Sequence, residues 1–329
     1  MENQKFEYSV AIRTLGKGGE KYKQELESLH NQTVMPKHIF VFIAEGYPRP
    51  EFQVGIEEYV SVHKGLVHQR SASADGVDTE FLLILDDDVF FPADSVEKLH
   101  DDMMKRNADG IAPDTFESYK MGLFSKIKYY FATGVTSHQP NEWDIIIKRN
   151  GTFSYNVCPE RGGVYLTQSA AGTACFMKTD VFRAIHYEHE LWIDQYPAGT
   201  FGEDQIMFNK IHKNGFRMLM AHDTGVLHLD AATNNIKQKT YEKLKYRALS
   251  YYMTWYRTCY DLPDNSRKEK ILCSLAYNWR FILGLSTRLV YALLELSPRF
   301  FTSFIDGYVT AKKYAHSDEY KKIPSFIVK

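Results

Sequence analysis

The chain has 329 residues, 44% hydrophobic and 25% charged, which allows a substantial core and argues against a mainly disordered or fibrous protein. Its net charge of −1 hides an asymmetry: residues 237–329 hold 17 Lys and Arg against 8 Asp and Glu, whereas the residues before them hold 23 against 33. An acidic body without a recognition motif argues against nucleic acid as a partner, and the longest apolar run, 281–294, is too short for a typical membrane span and carries Arg288.

In chain order, "YSVAIRT" (8–14) is a β-branched run that predicts a first strand, and "GKGG" turns the chain after it. Tyr22, Leu26 and Leu29 share one face of a helix over 20–31, and Pro36 closes the connection to a second strand over 38–44. A third strand is predicted over 58–62, a helix over 65–76 and a fourth strand over 80–85. This alternation predicts an α/β fold with a mainly parallel sheet flanked by helices. "DSVE" (94–97) reads as a capping box opening a helix through about Lys105, and Asn150-Gly151 reads as a hairpin turn. A strand is expected within 172–177, and 203–215 is an amphipathic helix with Ile206, Phe208 and Ile211 inward. Beyond 237 the chain predicts aromatic-rich helices over 241–260, 268–296 and 299–315, a C-terminal helical extension broken at Pro263 and Pro298.

The stretch "FLLILDDDVFF" (81–91) places Asp86, Asp87 and Asp88 at the end of an otherwise buried strand. Three adjacent carboxylates are costly there unless a cation compensates them, and ligands of open α/β sheets bind beyond the carboxyl ends of the strands. Mg²⁺ or Mn²⁺ together with a diphosphate would answer the need, since hard cations take carboxylate oxygens. On an extended segment Asp86 and Asp88 would share a face while Asp87 points elsewhere. A solvated turn is the plainer account of such a run, and its apolar flanks argue against it.

Further along, "GTFGEDQIMFNKIHKNGFRMLMAHDTGVLHLD" (199–230) supplies Glu203 and Asp204 at a helix start and His228 after a following strand. With this order of motifs the chain resembles the family 2 glycosyltransferases of GT-A fold over roughly residues 6–230, and most resembles their bacterial polymer-building, galactofuranosyltransferase-like branch. The resemblance implies a catalytic domain over 1–236, donor-binding to about 110 and acceptor-binding from about 111, followed by the helical region 237–329. It implies Asp88 and His228 as metal ligands, Asp86 facing the donor beside Asp87, Asp204 as catalytic base, and Glu203 on the acceptor side. It also implies an inverting transfer from a nucleotide-diphosphate sugar, foremost a UDP-sugar, to a glycan or lipid-linked glycan of a bacterial surface polysaccharide. Glu203 and Asp204 read singly are ordinary N-terminal helix charges, and His228 read singly is a core histidine. His222 and Asp223 form a rival ligand pair.

Weaker donor-pocket candidates are Thr14 and Glu45, at the ends of the first two strands, with Arg70 and Asp78. Gly172, within "RGGVYLTQSAAGTACFMK" (161–178), would admit a sugar closely, and Trp192 would stack on one; for Trp192 a core position is the alternative. The hairpin around 141–160 would shape the acceptor side or an oligomer contact. The basic, aromatic C-terminal helices suit a water–lipid interface, a helical cap or a homo-oligomer contact. With no leader-type segment, and with Cys158, Cys175, Cys259 and Cys273 lacking any close metal-ligand spacing, the expected location is the cytoplasm, with peripheral contact to the inner face of the cell membrane. Two other readings are a sugar-nucleotidyltransferase, with "LGKGGEK" (15–21) as a faint phosphate loop, and a non-catalytic, calcium-dependent glycan-binding protein.

Overall fold

The computed structural model describes residues 6–115, 122–136, 142–155, 163–229 and 240–328. The N-terminal third runs β1 (Tyr8–Thr14), α1 (Glu20–His30), β2 (His38–Ala44), β3 (Glu57–Val62), α2 (Leu66–Ser71), β4 (Phe81–Asp86), β5 (Val89–Phe90), α3 (Ser95–Lys105) and β6 (Gly110–Pro113). The middle continues with α4 (Leu123–Thr133), β7 (Trp143–Ile147), β8 (Phe153–Tyr155), β9 (Val164–Thr167), β10 (Ala174–Lys178), α5 (Thr179–Ala184), α6 (Glu203–Lys213), β11 (Met218–Ala221) and β12 (Leu227–His228). Three helices follow, α7 (Thr240–Trp255), α8 (Arg267–Leu294) and α9 (Arg299–Ala315); α7 continues as a π-helical turn over Tyr256–Tyr260, and a 3₁₀ turn over Tyr320–Lys322 precedes the last described residues.

Ten strands form one sheet in the order β3-β2-β1-β4-β10-β6-β11-β9-β7-β8. The first four run parallel, β6 and β11 are parallel, as are β7 and β9, and β10 lies antiparallel between β4 and β6. The sheet is therefore mixed and mainly parallel, as the β-α alternation predicts. Side-chain alternation splits the core into two layers. Val10, Ile12, Val41, Leu83 and Leu85 face α1 and α3, where Leu26, Leu29, Leu99 and Met103 close over them. Phe40, Phe42, Leu82 and Ile84 point the other way, towards a layer that includes Ile206, Phe208 and Ile211 of α6 and Leu249, Met253 and Trp255 of α7. The basic C-terminal helices thus share the core of the sheet.

The turn chemistry explains most connections. Gly151 has φ of +73° in the β7–β8 hairpin, which is what the Asn150-Gly151 pair offers, and Asn150 Oδ1 accepts from Thr152 N at 3.1 Å. Two local expectations are corrected. Asp94 makes no capping bond to α3: its carboxylate pairs with Lys98 at 2.6 Å, and Glu97 accepts from Thr33 Oγ1. The helix predicted over 65–76 ends at Ser71 and tightens into a 3₁₀ turn over Ala72–Ala74 before Gly76, which has φ of +74°. The domain boundary expected at 236–237, like parts of the stretches 141–160 and 161–178, lies outside the described residues.

Candidate active site

The carboxyl ends of β1 and β4 are adjacent, because the two strands pair in register from Tyr8↔Phe81 to Arg13↔Asp86. β10 enters from the opposite direction, with Ala174 beside Leu85, so the residues before it, Gly172 and Thr173, arrive at the end of β4. Thr173 O accepts from Asp86 N at 3.0 Å. α6 then begins at Glu203 against the same edge, which brings the two motifs together from sequence positions more than 100 residues apart.

The three aspartates go to three different partners. Asp86 Oδ1 accepts from Arg13 Nε at 2.5 Å, Asp87 Oδ2 accepts from Thr14 Oγ1 at 2.5 Å, and Asp88 Oδ1 lies 3.1 Å from His228 Nε2. The alternation expected of an extended 86–88 segment does not hold, because the chain bends at Asp87 and Asp88 before resuming as β5. β5 pairs with β12, His228 opposite Val89, and Leu229 N donates to Asp88 O at 2.8 Å, so the short ribbon holds His228 against Asp88. Burial, with Asp88 and Asp86 adding to it, pushes the Asp87 carboxyl up to about 6. Beneath the run lies Glu25 of α1, fully buried, its Oε2 accepting from Val89 N at 3.1 Å. Burial holds its carboxyl well above the usual range, which keeps a fourth charge out of the cluster.

Glu203 joins the motifs. Its Oε1 accepts from Arg13 Nη1 at 2.7 Å and from Arg70 Nη2 at 3.0 Å, and its Oε2 lies 2.9 Å from Arg70 Nε. Tyr187 OH donates to Glu203 O at 2.8 Å and reaches Oε2 at 3.1 Å. Burial opposes the charge on Glu203, but Arg13 and Arg70 outweigh it and hold the carboxyl at about 2. Asp204, the next residue, is half-buried, and its carboxylate accepts from two backbone amides, Gly172 N at 3.0 Å and Gln205 N at 2.8 Å. Burial and the Glu203 charge raise its pKa, with Arg70 and the two amides opposing them. Gly172 is sterically required: a Cβ there would fall 2.6 Å from both Arg70 Nη2 and Asp204 Cβ.

Asp88 and His228 could hold a divalent cation. Their facing atoms stand 3.1 Å apart, close to the ~3.0 Å between neighbouring ligands of an octahedral ion with bonds of about 2.1 Å, and an oxygen-nitrogen pair suits Mn²⁺. A diphosphate and waters would complete such a shell.

Several predicted residues lie elsewhere or face differently. Asp78 sits at the opposite, amino-terminal edge of the sheet, its carboxylate on Lys37 at 3.0 Å, because the whole length of β4 separates it from Asp86. Trp192 is buried against Phe201 and Tyr314, its Nε1 donating to Glu190 at 2.8 Å, so its ring faces core aromatics instead of an open sugar site. Glu203 is buried in the arginine clamp rather than presented to an acceptor, and Arg70 is buried on Glu203 and Gly172 O instead of facing a diphosphate. Glu45 ends β2 on the site's edge but is exposed and paired with His63 at 3.1 Å. His222 is engaged by Asp114 and Asp144, each at 2.9 Å, away from the Asp88–His228 pair. Arg13, Glu25 and Tyr187 were not among the candidates. Arg13 carried the clearest signal, as a lone cation inside a strand otherwise buried.

No family model matches the chain, and no curated protein matches it. Among solved structures, GalNAc-T7 with UDP, GalNAc and Mn²⁺ aligns at 13% identity and a TM-score of 0.49, over 89% of this chain and 58% of that one. TarS 1–349 of S. aureus aligns at 13% identity and 0.43, over 94% and 91% of the two chains. The mannosyltransferase PcManGT from Pyrobaculum calidifontis, in complex with GDP-Man and Mn²⁺, aligns at 11% identity and 0.47, over 97% and 89%. Likeness at this level leaves activity to be argued from the residues of the site.

Proposed function

We propose that the chain is a metal-dependent, inverting glycosyltransferase of GT-A type. It moves a sugar from a nucleotide diphosphate, foremost UDP, to a hydroxyl of a glycan or lipid-linked glycan, as in bacterial surface-polysaccharide synthesis. The observation that carries this reading is the Arg13–Glu203–Arg70 clamp, which fixes the helix start bearing Asp204 against the strand end bearing Asp86, Asp87 and Asp88. A binding protein that used the aspartates alone would have no need of that second carboxylate.

In this reading Asp88 and His228 would hold Mn²⁺ or Mg²⁺, which would supply positive charge against the leaving nucleotide diphosphate. Asp86, paired with Arg13, lies on the donor side, and Thr14 fixes Asp87 behind it. Asp204 takes the proton of the acceptor hydroxyl as that oxygen attacks the anomeric carbon. A single displacement inverts the centre. Its raised pKa makes Asp204 a better base than a solvated aspartate, and its two amide donors hold the carboxylate in place while it works. Gly172, having no side chain, lets its amide approach the Asp204 carboxylate closely.

The test is thermal stabilisation by UDP, GDP, dTDP and CMP, with and without Mn²⁺. One nucleotide should raise the melting temperature only with the metal, and Asp88→Ala should abolish that shift. Asp204→Asn should keep the shift and lose turnover by ~10²–10⁴-fold, the usual contribution of a positioned base. No shift with any nucleotide would sink the reading.

A further inference from the structure

Two cavities, of about 520 and 320 Å³, open beside the start of α6 and share Arg247, Tyr251 and Arg280. The larger is walled by Gly202 and Gln205, the residues that bracket Glu203 and Asp204, and by Lys243 and Arg247 of α7. The smaller adds Lys128 of α4 and Arg288 of α8. The two are lined by these five cations and by no carboxylate, and among the described residues none of the five forms an ion pair. Elsewhere the buried cations are matched: Arg13 and Arg70 by Glu203, Lys210 and Arg257 by Glu190. Here the counter-charge is left to a ligand.

Arg280 is the sharpest feature. It is only 7% exposed, its guanidinium lies 3.9 Å over the Tyr251 ring, and its Nη1 donates to Asn150 O at 3.1 Å. Its Nε has no partner, and neither has that of Arg288. Burial lowers the pKa of Arg280, and burial together with the charge of Arg247 lowers that of Arg288. Buried cations that crowd one another are costly until an anion joins them, and a guanidinium best takes a group with two oxygens, such as a carboxylate or a phosphodiester. The rest of the larger cavity suits a sugar. Tyr246 and Tyr251 supply rings, and Thr200, Ser250 and Thr254 supply hydroxyls, of which that of Thr200 has no partner of its own.

We propose that the glycan recognised beside Asp204 is acidic: the sugar in the larger cavity bears a carboxylate or a phosphodiester, and Lys243, Arg247 and Arg280 select it over a neutral sugar. This rests on the glycosyltransferase reading, in which the acceptor reaches Asp204 past Gly202 and Gln205. The charge that is read belongs to the glycan itself, so the selection holds with or without a carrier at its end. A neutral glycan would leave five cations without a counter-charge, and a free anion would leave the rings and hydroxyls of the cavity without a task.

The probes are tetragalacturonic acid, its methyl ester, which keeps the sugars and loses the charge, and a glycerol phosphate tetramer. Binding is read by calorimetry at one ionic strength in EDTA, beside inorganic sulfate. The acid or the phosphodiester should bind about tenfold tighter than the ester and than sulfate, and whichever of the two binds tighter identifies the group. Arg247→Gln and Lys243→Gln should each weaken it several-fold and leave Mn²⁺-dependent nucleotide stabilisation intact. Lys245→Gln, on the same helix but paired with Asp306 at 2.8 Å, should change nothing, which separates the cavity from general attraction to a basic helix. Arg280→Gln should weaken binding most if that variant folds. The proposal is overturned if neither anionic probe binds, if the ester or sulfate binds as tightly, if Lys245→Gln weakens binding as much as Arg247→Gln, or if Arg247→Gln removes the nucleotide shift, which would give these cations to the donor. If no nucleotide binds while the acidic glycan still binds through Arg247, the cavity site stands and the glycosyltransferase reading falls. The reverse result removes the acidic site alone.

Discussion

Glu203 and Glu190 are both buried glutamates flanked by two cations, yet they sit in clusters built for different ends. Glu190 is sealed: Oε1 accepts from Lys210 Nζ at 2.7 Å and Arg257 Nη2 at 2.8 Å, and Oε2 from Trp192 Nε1 at 2.8 Å and Arg257 Nε at 3.0 Å. Phe326 covers both cations, each 5.4 Å from its ring centroid, so α6, the π-helical turn and the chain's last described segment are tied at one point. Glu203 ties strand to helix in the same way, but its cluster continues through Arg13 to Asp86, a quarter exposed, and ends at the half-buried Asp204. Closed charge clusters fasten elements together. One that ends at an open edge leaves carboxylates at a place where a ligand can reach them.

The largest effect should come from the sealed cluster. Glu190→Gln leaves Lys210 and Arg257 buried without a counter-charge and should cost ~3–5 kcal/mol in urea unfolding. Glu203→Gln should cost less, about 1–3 kcal/mol, because Arg13 keeps Asp86 and the cluster is open to water. Its turnover should nevertheless fall further than its stability suggests, whereas Glu190→Gln should lose activity only in step with unfolding. The comparison breaks if the two variants show the same ratio of lost activity to lost stability. Both carboxyls are held at about 2, below their unfolded value, so each contributes stability that is complete above roughly pH 4.5. That contribution disappears as pH falls towards 2.

Much of the site was legible because its motifs are local. Three aspartates closing a strand, two acids opening a helix and a histidine two residues from the next aspartate each announce themselves within ten residues. What joins them was not legible. Arg13 looks like an ordinary strand residue until pairing with β4 puts it beside Asp86, and Arg70 looks like a diphosphate ligand until α6 delivers Glu203 to it. Asp78 went astray for the converse reason: eight positions from Asp86 in sequence is one full strand away in space. Trp192 reads equally as a stacking platform or a core ring, and only its Glu190 bond decides. Glu25 carried a usable sign, since it shares a helical face with Tyr22 and Leu29 and so had to be buried.

A third charged cluster, His222 between Asp114 and Asp144, reverses the pH sign. Burial disfavours charge on His222, but hydrogen bonds to Asp114 and Asp144 outweigh it and push its pKa up to about 9. A raised folded-state pKa gives stability that is complete below about pH 6.5 and lost as pH rises through 9, of order 3 kcal/mol at most. Wild type should therefore melt above His222→Gln at pH 6, and the gap should close by pH 10. A gap that stays constant across that range would mean that His222 acts by packing alone.

The smallest change in volume tests how tightly the open cluster is set. Gly172 needs no unusual backbone, so Gly172→Ala acts only through its methyl group, which would meet Arg70 Nη2 and Asp204 Cβ at 2.6 Å and Arg70 Cζ at 3.2 Å. Arg70 is the largest fully buried side chain among the described residues and cannot swing out, so the strain should fall on Asp204, which is only half-buried and held by the amide of Gly172 itself. Overpacking of this kind costs about 1–3 kcal/mol. Because the Asp204 carboxylate moves while Asp88 and His228 do not, kcat should drop with nucleotide binding unchanged. Equal losses in both would place the strain on Arg70, and with it on the aspartate-bearing strand.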